Sequence, residues 1–249
     1  MGIGGGIIVV PALIFLFQHN NNIAYHLIMP MAIGTSLAVM VFTAPSALRI
    51  HYKNNNIFWA VYKRLVPGLI FGTVCGALLA DKLPTRLLKL LFCFFLITIA
   101  LKMSLELYQK PKLRRRRFPK RWANNFMSFF IGCQSGLLGI GGGSLIIPYL
   151  SHCGLDVKKI TPISVLTTMT VAFIGTLAFI SIGSFQQGLP AFSSGFVYWP
   201  AALGIALTSI FFAPLGAKLT YILSAKHLRY SFIVLLIVMI IELLTTNNP

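Results

Sequence analysis

The chain has 249 residues, of which 57% are hydrophobic and only 10% are charged, and its mean hydropathy is +0.82. These values exclude an ordinary soluble domain and indicate an integral membrane protein. The formal net charge of +17 raises the question of a nucleic-acid partner, which the distribution of the basic residues answers.

Apolar runs follow one another along the chain. A helix needs about 20 residues to cross a hydrocarbon core of about 30 Å. The sequence contains an incomplete run and about seven full ones, at residues 2-17, 27-49, 62-80, 87-108, 124-138 continuing into 139-151, 161-183, 195-222 and 227-245. The runs are continuously apolar, whereas barrel strands alternate. We therefore predict an all-α, polytopic membrane protein with about seven to eight transmembrane helices.

The basic residues are concentrated in the segment KPKLRRRRFPKR at residues 110-121, where eight of twelve residues are Lys or Arg. A short basic loop between apolar helices is typical of a cytoplasmic connection, and anionic lipid headgroups would hold it there. We therefore expect membrane lipid as a partner and no nucleic acid. The basic loop at 49-64 belongs on the same side, and the loops at 19-26 and 81-86 on the other. The second half is left unoriented, because the 184-194 loop has no charge.

An internal repeat is the most informative feature of the sequence. Gly2 to Gly6 (GIGGG) with Pro11 recurs as Gly139 to Gly143 with Pro148, and farther on Trp59 matches Trp199. We therefore divide the chain into a first repeat at 1-109, the basic linker at 110-121 and a second repeat at 122-249. The helical run before the second motif has no counterpart in the first repeat, so we expect the first helix to be incomplete and a span to precede Gly2.

The two glycine motifs predict broken helices. Each Gly costs a helix about 1 kcal/mol relative to Ala. At membrane depth a broken backbone is tolerated where protein or a water-filled cavity satisfies the freed polar groups. The helix that restarts after the glycines presents unpaired N–H groups and a positive dipole end, which favour an anion. The alternative is that the glycines only permit close helix packing.

The candidate anion site consists of these glycines and of polar side chains near them. The backbone N–H groups and side chains predicted to bind the anion belong to Gly4, Gly5, Gly6, Thr35, Ser36, Gln134, Gly141, Gly142, Gly143, Ser144, Thr167 and Thr168. Pro11 and Pro148 are predicted to bend or break the helices. The alternative for the hydroxyls is a hydrogen bond to a carbonyl of their own helix.

Other chemistry lacks support in the sequence. The four acidic residues lie near predicted span ends, so a proton relay at mid-membrane is not indicated. The four cysteines and five histidines show no metal-ligand spacing. No nucleophile–base pair is evident, and neither glycine motif ends as a phosphate loop does. We therefore expect neither an enzyme nor a cofactor.

The paired glycine motifs with a following Pro, the basic linker, and Gly-Ala ahead of Leu-x-x-(Lys/Arg)-x-x-Phe resemble the sulfite exporter TauE/SafE (TSUP) family over essentially the whole chain. The resemblance implies a secondary transporter, an exporter of sulfite, organosulfonates or related sulfur-containing anions across a bacterial cytoplasmic membrane. Uniport driven by the membrane potential is the default expectation. The alternatives are another small anion, or a non-transporting assembly or biogenesis factor. The sequence leaves open the anion and the oligomeric state.

Overall fold

The computed structural model describes residues 5-19, 23-53, 58-108, 121-155, 157-222 and 225-245. These residues form one short antiparallel hairpin, in which β1 (Ser193–Ser194) pairs with β2 (Val197–Tyr198), and a series of helices. The helices are α1 (Gly6–Gln18), α2 (Tyr25–Lys53), α3 (Trp59–Lys82), α4 (Thr85–Tyr108), α5 (Arg121–Leu138), α6 (Gly143–His152), α7 (Val157–Gly183), α8 (Trp199–Ile222) and α9 (Ala225–Thr245).

The protein is an all-α helical membrane protein, as predicted. In the part of the chain that the structure describes, four helices are long and apolar enough to cross a membrane, namely Tyr25–Leu48, Trp59–Lys82, Thr85–Ser104 and Lys159–Gly183. Shorter apolar helices occur at Gly6–Gln18, Trp199–Phe212 and Tyr230–Ile241. The predicted span at 195-222 begins later than expected, because the β1–β2 hairpin precedes α8.

Helix α2 lies at the centre of the molecule. Every residue from 27 to 40 is buried, and α2 packs against α1, α4, α7, α8 and the β hairpin. An apolar helix surrounded on all sides is what the continuous hydrophobic run of α2 predicts. Residues of the candidate site on α2 are therefore held in the core of the protein.

The helix boundaries follow the sequence repeat. Helices α1 and α6 begin at Gly6 and Gly143, an offset of 137 residues, and α3 and α8 begin at Trp59 and Trp199, an offset of 140. Helix α5 has no counterpart among the described residues. The domain division at the linker stays a prediction, because residues 109-120 lie outside the described residues.

The second glycine motif interrupts the chain between α5 and α6, as predicted. Gly139 and Gly141 have φ angles of 67° and 73°, a left-handed conformation that ends a helix and that glycine adopts without penalty. Tyr149, near the end of α6, donates a hydrogen bond of 2.7 Å to Oδ1 of Asn124, near the start of α5. Since about 20 Å of α5 separates Asn124 from the break, α6 must turn back along α5.

The prediction of one continuous crossing at 124-151 is therefore wrong. Helices α5 and α6 form a helical hairpin whose two ends lie on the same side of the molecule. A hydropathy pattern cannot distinguish the two arrangements, because both contain the same apolar residues.

The two repeats run in opposite directions. Helices α2 and α7 occupy the same place in their repeats and pack against each other. A Cβ built on Gly34 would lie 3.1 Å from Cβ of Phe179, and one on Gly175 would lie 2.7 Å from Cδ1 of Leu37. Moving forward along α2 thus means moving backward along α7. Equivalent helices that pack antiparallel make the repeats inverted, an arrangement found in several transporter folds.

In the inverted arrangement, the starts of several helices that carry basic residues lie on one side of the molecule. Helices α3 and α5 pack in parallel, since Gly68 meets the backbone of Asn125 and Gly76 that of Leu137. The start of α7 joins the same side, because Nζ of Lys159 lies 5.8 Å from the centroid of the Phe58 ring. This side therefore carries the starts of α3, α5 and α7, including Arg121. From the positive-inside rule we expect this side to be cytoplasmic, and this expectation would orient the second repeat as well.

Candidate functional site

The two glycine motifs meet at the centre of the molecule. A Cβ built on Gly6, the first residue of α1, would lie 2.8 Å from Cα of Ile140 and still closer to the Gly139 carbonyl oxygen and the Met40 methyl group. Gly6 and residues 139 to 143 are all buried. We call this meeting point the glycine junction. The absence of a side chain at Gly6 is what allows the two backbone segments to touch.

Both helices that start at the glycine junction have uncapped N-termini. Gly5 and Gly142 are the N-cap residues of α1 and α6, both have helical backbone angles, and neither makes a side-chain cap. Among the bonds that join described residues, the first amides to bond within α6 and α1 are those of Ile146, to Gly142 O at 3.0 Å, and of Ile8, to Gly5 O at 3.1 Å. The amides before them carry the positive end of each helix dipole. The junction thus joins two backbone sites that favour negative charge.

Two serines hold the second motif in place. Ser36 of α2 donates a hydrogen bond of 2.9 Å to the carbonyl oxygen of Gly139, and Ser164 of α7 donates one of 3.3 Å to that of Gly143. Both serines are at most 1% exposed. Ser36 therefore satisfies a carbonyl freed by the helix break, as burial of an interrupted backbone requires. Ser164 instead ties α7 to the first residue of α6.

The two predicted threonines of α7 line the junction with their carbon atoms. A Cβ on Gly141 would lie 2.9 Å from Cγ2 of Thr168, and one on Gly142 would lie 3.7 Å from Cβ of Thr167. Both hydroxyls donate to the Ser164 carbonyl oxygen at 2.9 Å. In this geometry they offer lone pairs rather than a proton, so donation to an anion requires the hydroxyl to rotate. Their role as anion donors stays a prediction.

Ser144 has the chemistry that the site requires. It is the second residue of α6, and its Oγ is buried without a hydrogen-bond partner in the described part of the chain. A hydroxyl in the first turn of a helix can donate to an anion held by the neighbouring amides. The structure thus places a free donor beside the uncapped end of α6.

The remaining predicted residues are placed less centrally. Thr35 accepts a hydrogen bond of 3.1 Å from the backbone N–H of Tyr198, so it anchors the β hairpin. The side chain of Gln134 is exposed. Gly4 lies outside the described residues. Pro11 and Pro148 each stand sixth in their helix, and α1 and α6 continue through them. The interruption of the second repeat lies at the glycines, not at Pro148.

Sequence reasoning missed Met40 and the partner of Thr170, whereas Ser135 and Thr170 themselves stand among the polar residues that the sequence places near the glycine motifs. Met40 of α2 lies between the motifs, with its sulfur 2.7 Å from a Cβ built on Gly141. Ser135, which is 1% exposed, has a buried Oγ without a partner among the described residues. Tyr62 of α3 and Thr170 of α7 share a hydrogen bond of 2.7 Å. A methionine in an apolar run gives no signal, and pairs across helices become visible only once the packing is known.

No charged side chain lies among the residues that form the glycine junction, and the described residues contain no group of acidic, His or Cys side chains suited to hold a metal. The junction can therefore recognise a ligand through backbone amides, hydroxyls and helix dipoles. These groups suit a small anion that enters without a counter-charge from the protein.

Comparison with known proteins identifies a family and several relatives. The model of the family described as sulfite exporter TauE/SafE matches residues 1–243. A probable membrane transporter protein of Haemophilus influenzae is 31% identical over 242 residues, covering 97% of this chain and 90% of the relative. One of Methanocaldococcus jannaschii is 32% identical over 238 residues, covering 92% and 83%, and another of Bacillus subtilis is 29% identical over 248 residues, covering 91% and 84%.

No solved structure matches the chain. The family match extends over almost the whole length and includes both glycine motifs, the linker and the helices of both repeats. The resemblance seen in the sequence is confirmed, and the chain belongs to the sulfite exporter TauE/SafE family.

Proposed function

We propose that the protein is a membrane transporter that exports sulfite, organosulfonates or a related small oxyanion across the cytoplasmic membrane of a bacterium. The family's description and the relatives named as probable membrane transporters support transport as the activity. The observation that carries the proposal is the contact between Gly6 and the Gly139–Ile140 backbone. It brings the broken elements of two inverted repeats to one point.

The anion binds at the glycine junction in this proposal. The first-turn amides of α6 and α1 and the Ser144 hydroxyl donate hydrogen bonds to it, and the two helix dipoles supply the positive potential. Thr167 and Thr168 add donors after rotation of their hydroxyls. Inverted repeats that rock about a shared site expose it to each side in turn. An inside-negative potential drives an anion outward without a coupled proton, so uniport suffices for export.

Flux measurements in proteoliposomes test the proposal. Labelled sulfite and a panel of sulfonates are followed with and without an imposed membrane potential, for the wild type and for Gly142→Leu. The leucine side chain would extend toward Thr167 and Val171, which lie 3.4 to 3.7 Å from a Cβ at this position. We expect potential-dependent flux of at least one anion in the wild type and a loss of at least tenfold in Gly142→Leu.

Gly204→Leu is the matched control, because Gly204 is exposed on α8 and a Cβ there has no atom within 4 Å. Its flux should equal that of the wild type. Undiminished flux in folded Gly142→Leu would refute the assignment of the site. Absence of flux for every anion tested would favour a non-transporting assembly factor.

A further inference from the structure

A buried lysine lies where two helices begin, on the side opposite the starts of α3, α5 and α7. Lys89 of α4 is only 4% exposed, and its Nζ has no hydrogen-bond partner in the described part of the chain. Its Nζ lies 5.1 Å from the ring centroid of Tyr25, the first residue of α2. A cation–π contact of this kind compensates only part of the cost of burying a charge.

The starts of α2 and α4 are tied together at this place. Thr85, the first residue of α4, donates to the carbonyl oxygens of His26 at 3.1 Å and Tyr25 at 3.4 Å. Among the bonds between described residues, the first amides with a backbone hydrogen bond are those of Leu27 in α2 and Leu87 in α4, each at 2.9 Å. Two helix N-termini therefore point their positive ends into one region.

Acidic residues are scarce near these groups, and in the sequence the nearest is Asp81, at the end of α3 and four residues before Thr85. Neither α2 nor α4 has an acidic residue in its first turn. The first turn of α4 instead contains Arg86, which is exposed. Basic residues also stand at the matching positions of the second repeat, where Lys226 and Arg229 correspond to Arg86 and Lys89. A buried ammonium, two helix dipoles and a neighbouring guanidinium constitute the chemistry of an oxyanion site.

We propose that Lys89 and the N-termini of α2 and α4 bind an oxyanion on the outer side of the membrane. Two sources share this chemistry, the phosphate of an anionic lipid headgroup and a free oxyanion from the outer solution. The site differs from the glycine junction in location and in carrying a formal charge, and it does not depend on the proposed transport activity. The outer side follows from the orientation of α3, which ends at Lys82 just before α4 begins.

Thermal unfolding in two settings tests the proposal and separates the sources. In one, delipidated protein in detergent is titrated with sodium sulfate at constant ionic strength. In the other, the protein is placed in nanodiscs of phosphatidylcholine, with or without phosphatidylglycerol. The variants are Lys89→Met, Lys89→Arg, which keeps the charge, and Lys82→Met, which removes a charge from an exposed position on the same side.

In at least one setting, we expect sulfate or phosphatidylglycerol to raise the midpoint temperature of the wild type and of Lys82→Met by the same amount. Lys89→Arg should retain most of this increase, and Lys89→Met should lose it. A gain with phosphatidylglycerol identifies a headgroup, and a gain with sulfate identifies a free oxyanion. A shift that Lys89→Met retains belongs to another site. Equal shifts in the wild type and Lys89→Met, or no shift in the wild type in either setting, would overturn the proposal.

A photoactivatable phosphatidylglycerol provides a readout on the wild type that does not depend on the folding of Lys89→Met. Crosslinks on residues 25-26 and 85-89 support a headgroup site. Crosslinks elsewhere only, combined with no stabilisation by sulfate, contradict the proposal.

Discussion

The glycines of the second motif differ in whether their backbone angles and contacts allow a side chain. Gly139 and Gly141 have left-handed backbone angles, with φ of 67° and 73°, and Gly139 also lies against the backbone of α2. Gly142 has φ of −60° and ψ of −14°, which any residue adopts. The motif therefore combines positions where glycine is needed for the fold with one, Gly142, where an added Cβ would meet only ordinary contacts.

Alanine substitutions distinguish these roles. Gly139→Ala forces a left-handed alanine, which costs about 1–2 kcal/mol, and places Cβ 2.9 Å from Cα of Ile33. We expect the free energy of unfolding, measured by detergent denaturation, to fall by about 2 kcal/mol or more.

Gly142→Ala is the matched comparison, because its Cβ would meet only ordinary contacts of 3.4 to 3.7 Å. Its free energy of unfolding should stay within about 0.5 kcal/mol of the wild type, the range typical of substitutions that disturb no packing. Equal losses for the two variants would show that Gly139 does not hold the conformation described.

At the scale of elements, the contact between α3 and α5 depends on small residues on both helices. Gly68, Gly72 and Gly76 of α3 lie against the backbone of α5, and Gly132 and Gly136 of α5 lie against Leu69 and Thr73 of α3. Spacing of four residues places each set on one helix face. Close approach through small residues stabilises helix pairs in lipid, where no hydrophobic force joins them.

Substitution of Gly72, the middle of the three α3 glycines, tests the α3–α5 contact most directly. A Cβ on Gly72 would collide with the carbonyl oxygen of Phe129, which belongs to the backbone and cannot rotate away. We expect Gly72→Ala to lower the free energy of unfolding by about 1–3 kcal/mol, the cost of overpacking. Gly204→Ala, on the open face of α8, should be neutral or slightly stabilising because Ala is the better helix former. A neutral Gly72→Ala would mean that α3 and α5 are farther apart.

The sequence predicts the elements better than their arrangement. Hydropathy locates the long helices, and the glycine motif locates the break at 139 to 142 because backbone preference is local. The direction of α6 depends on the hydrogen bond between Tyr149 and Asn124, and the burial of Lys89 depends on the packing of α2 against α4. Such contacts join distant residues, and one sequence without relatives carries no signal for them. The four-residue spacing of glycines on α3 and α5 is visible in the sequence, but the spacing alone does not show that these two helix faces pack against each other.

At the scale of the molecule, inversion of the repeats accounts for the distribution of charge. The starts of α3, α5 and α7 share one side, and this side carries Lys63, Arg64, Arg121 and Lys159. The opposite side carries Lys82, Arg86 and Lys89 at the α3–α4 turn. Inversion also places the two glycine motifs tip to tip, so that neither repeat can form the junction alone. In the proposed transport cycle, this shared junction couples the movements of the two halves.

The hairpin of α5 and α6 gives the whole-molecule topology its clearest test. The test starts from a variant in which the four native cysteines are removed. In this background, a single cysteine replaces either Arg121, at the start of α5, or Ser151, near the end of α6. Both positions are exposed. A membrane-impermeant maleimide is applied to right-side-out and to inverted membrane vesicles. Both cysteines should react from the cytoplasmic side only, because α6 returns to the side where α5 begins.

A cysteine at the exposed Gln187, in the turn after α7, should react from the outer side and serves as the control. Labelling of the cysteines at 121 and 151 from opposite sides would restore a continuous crossing, and the repeats would then run in the same direction.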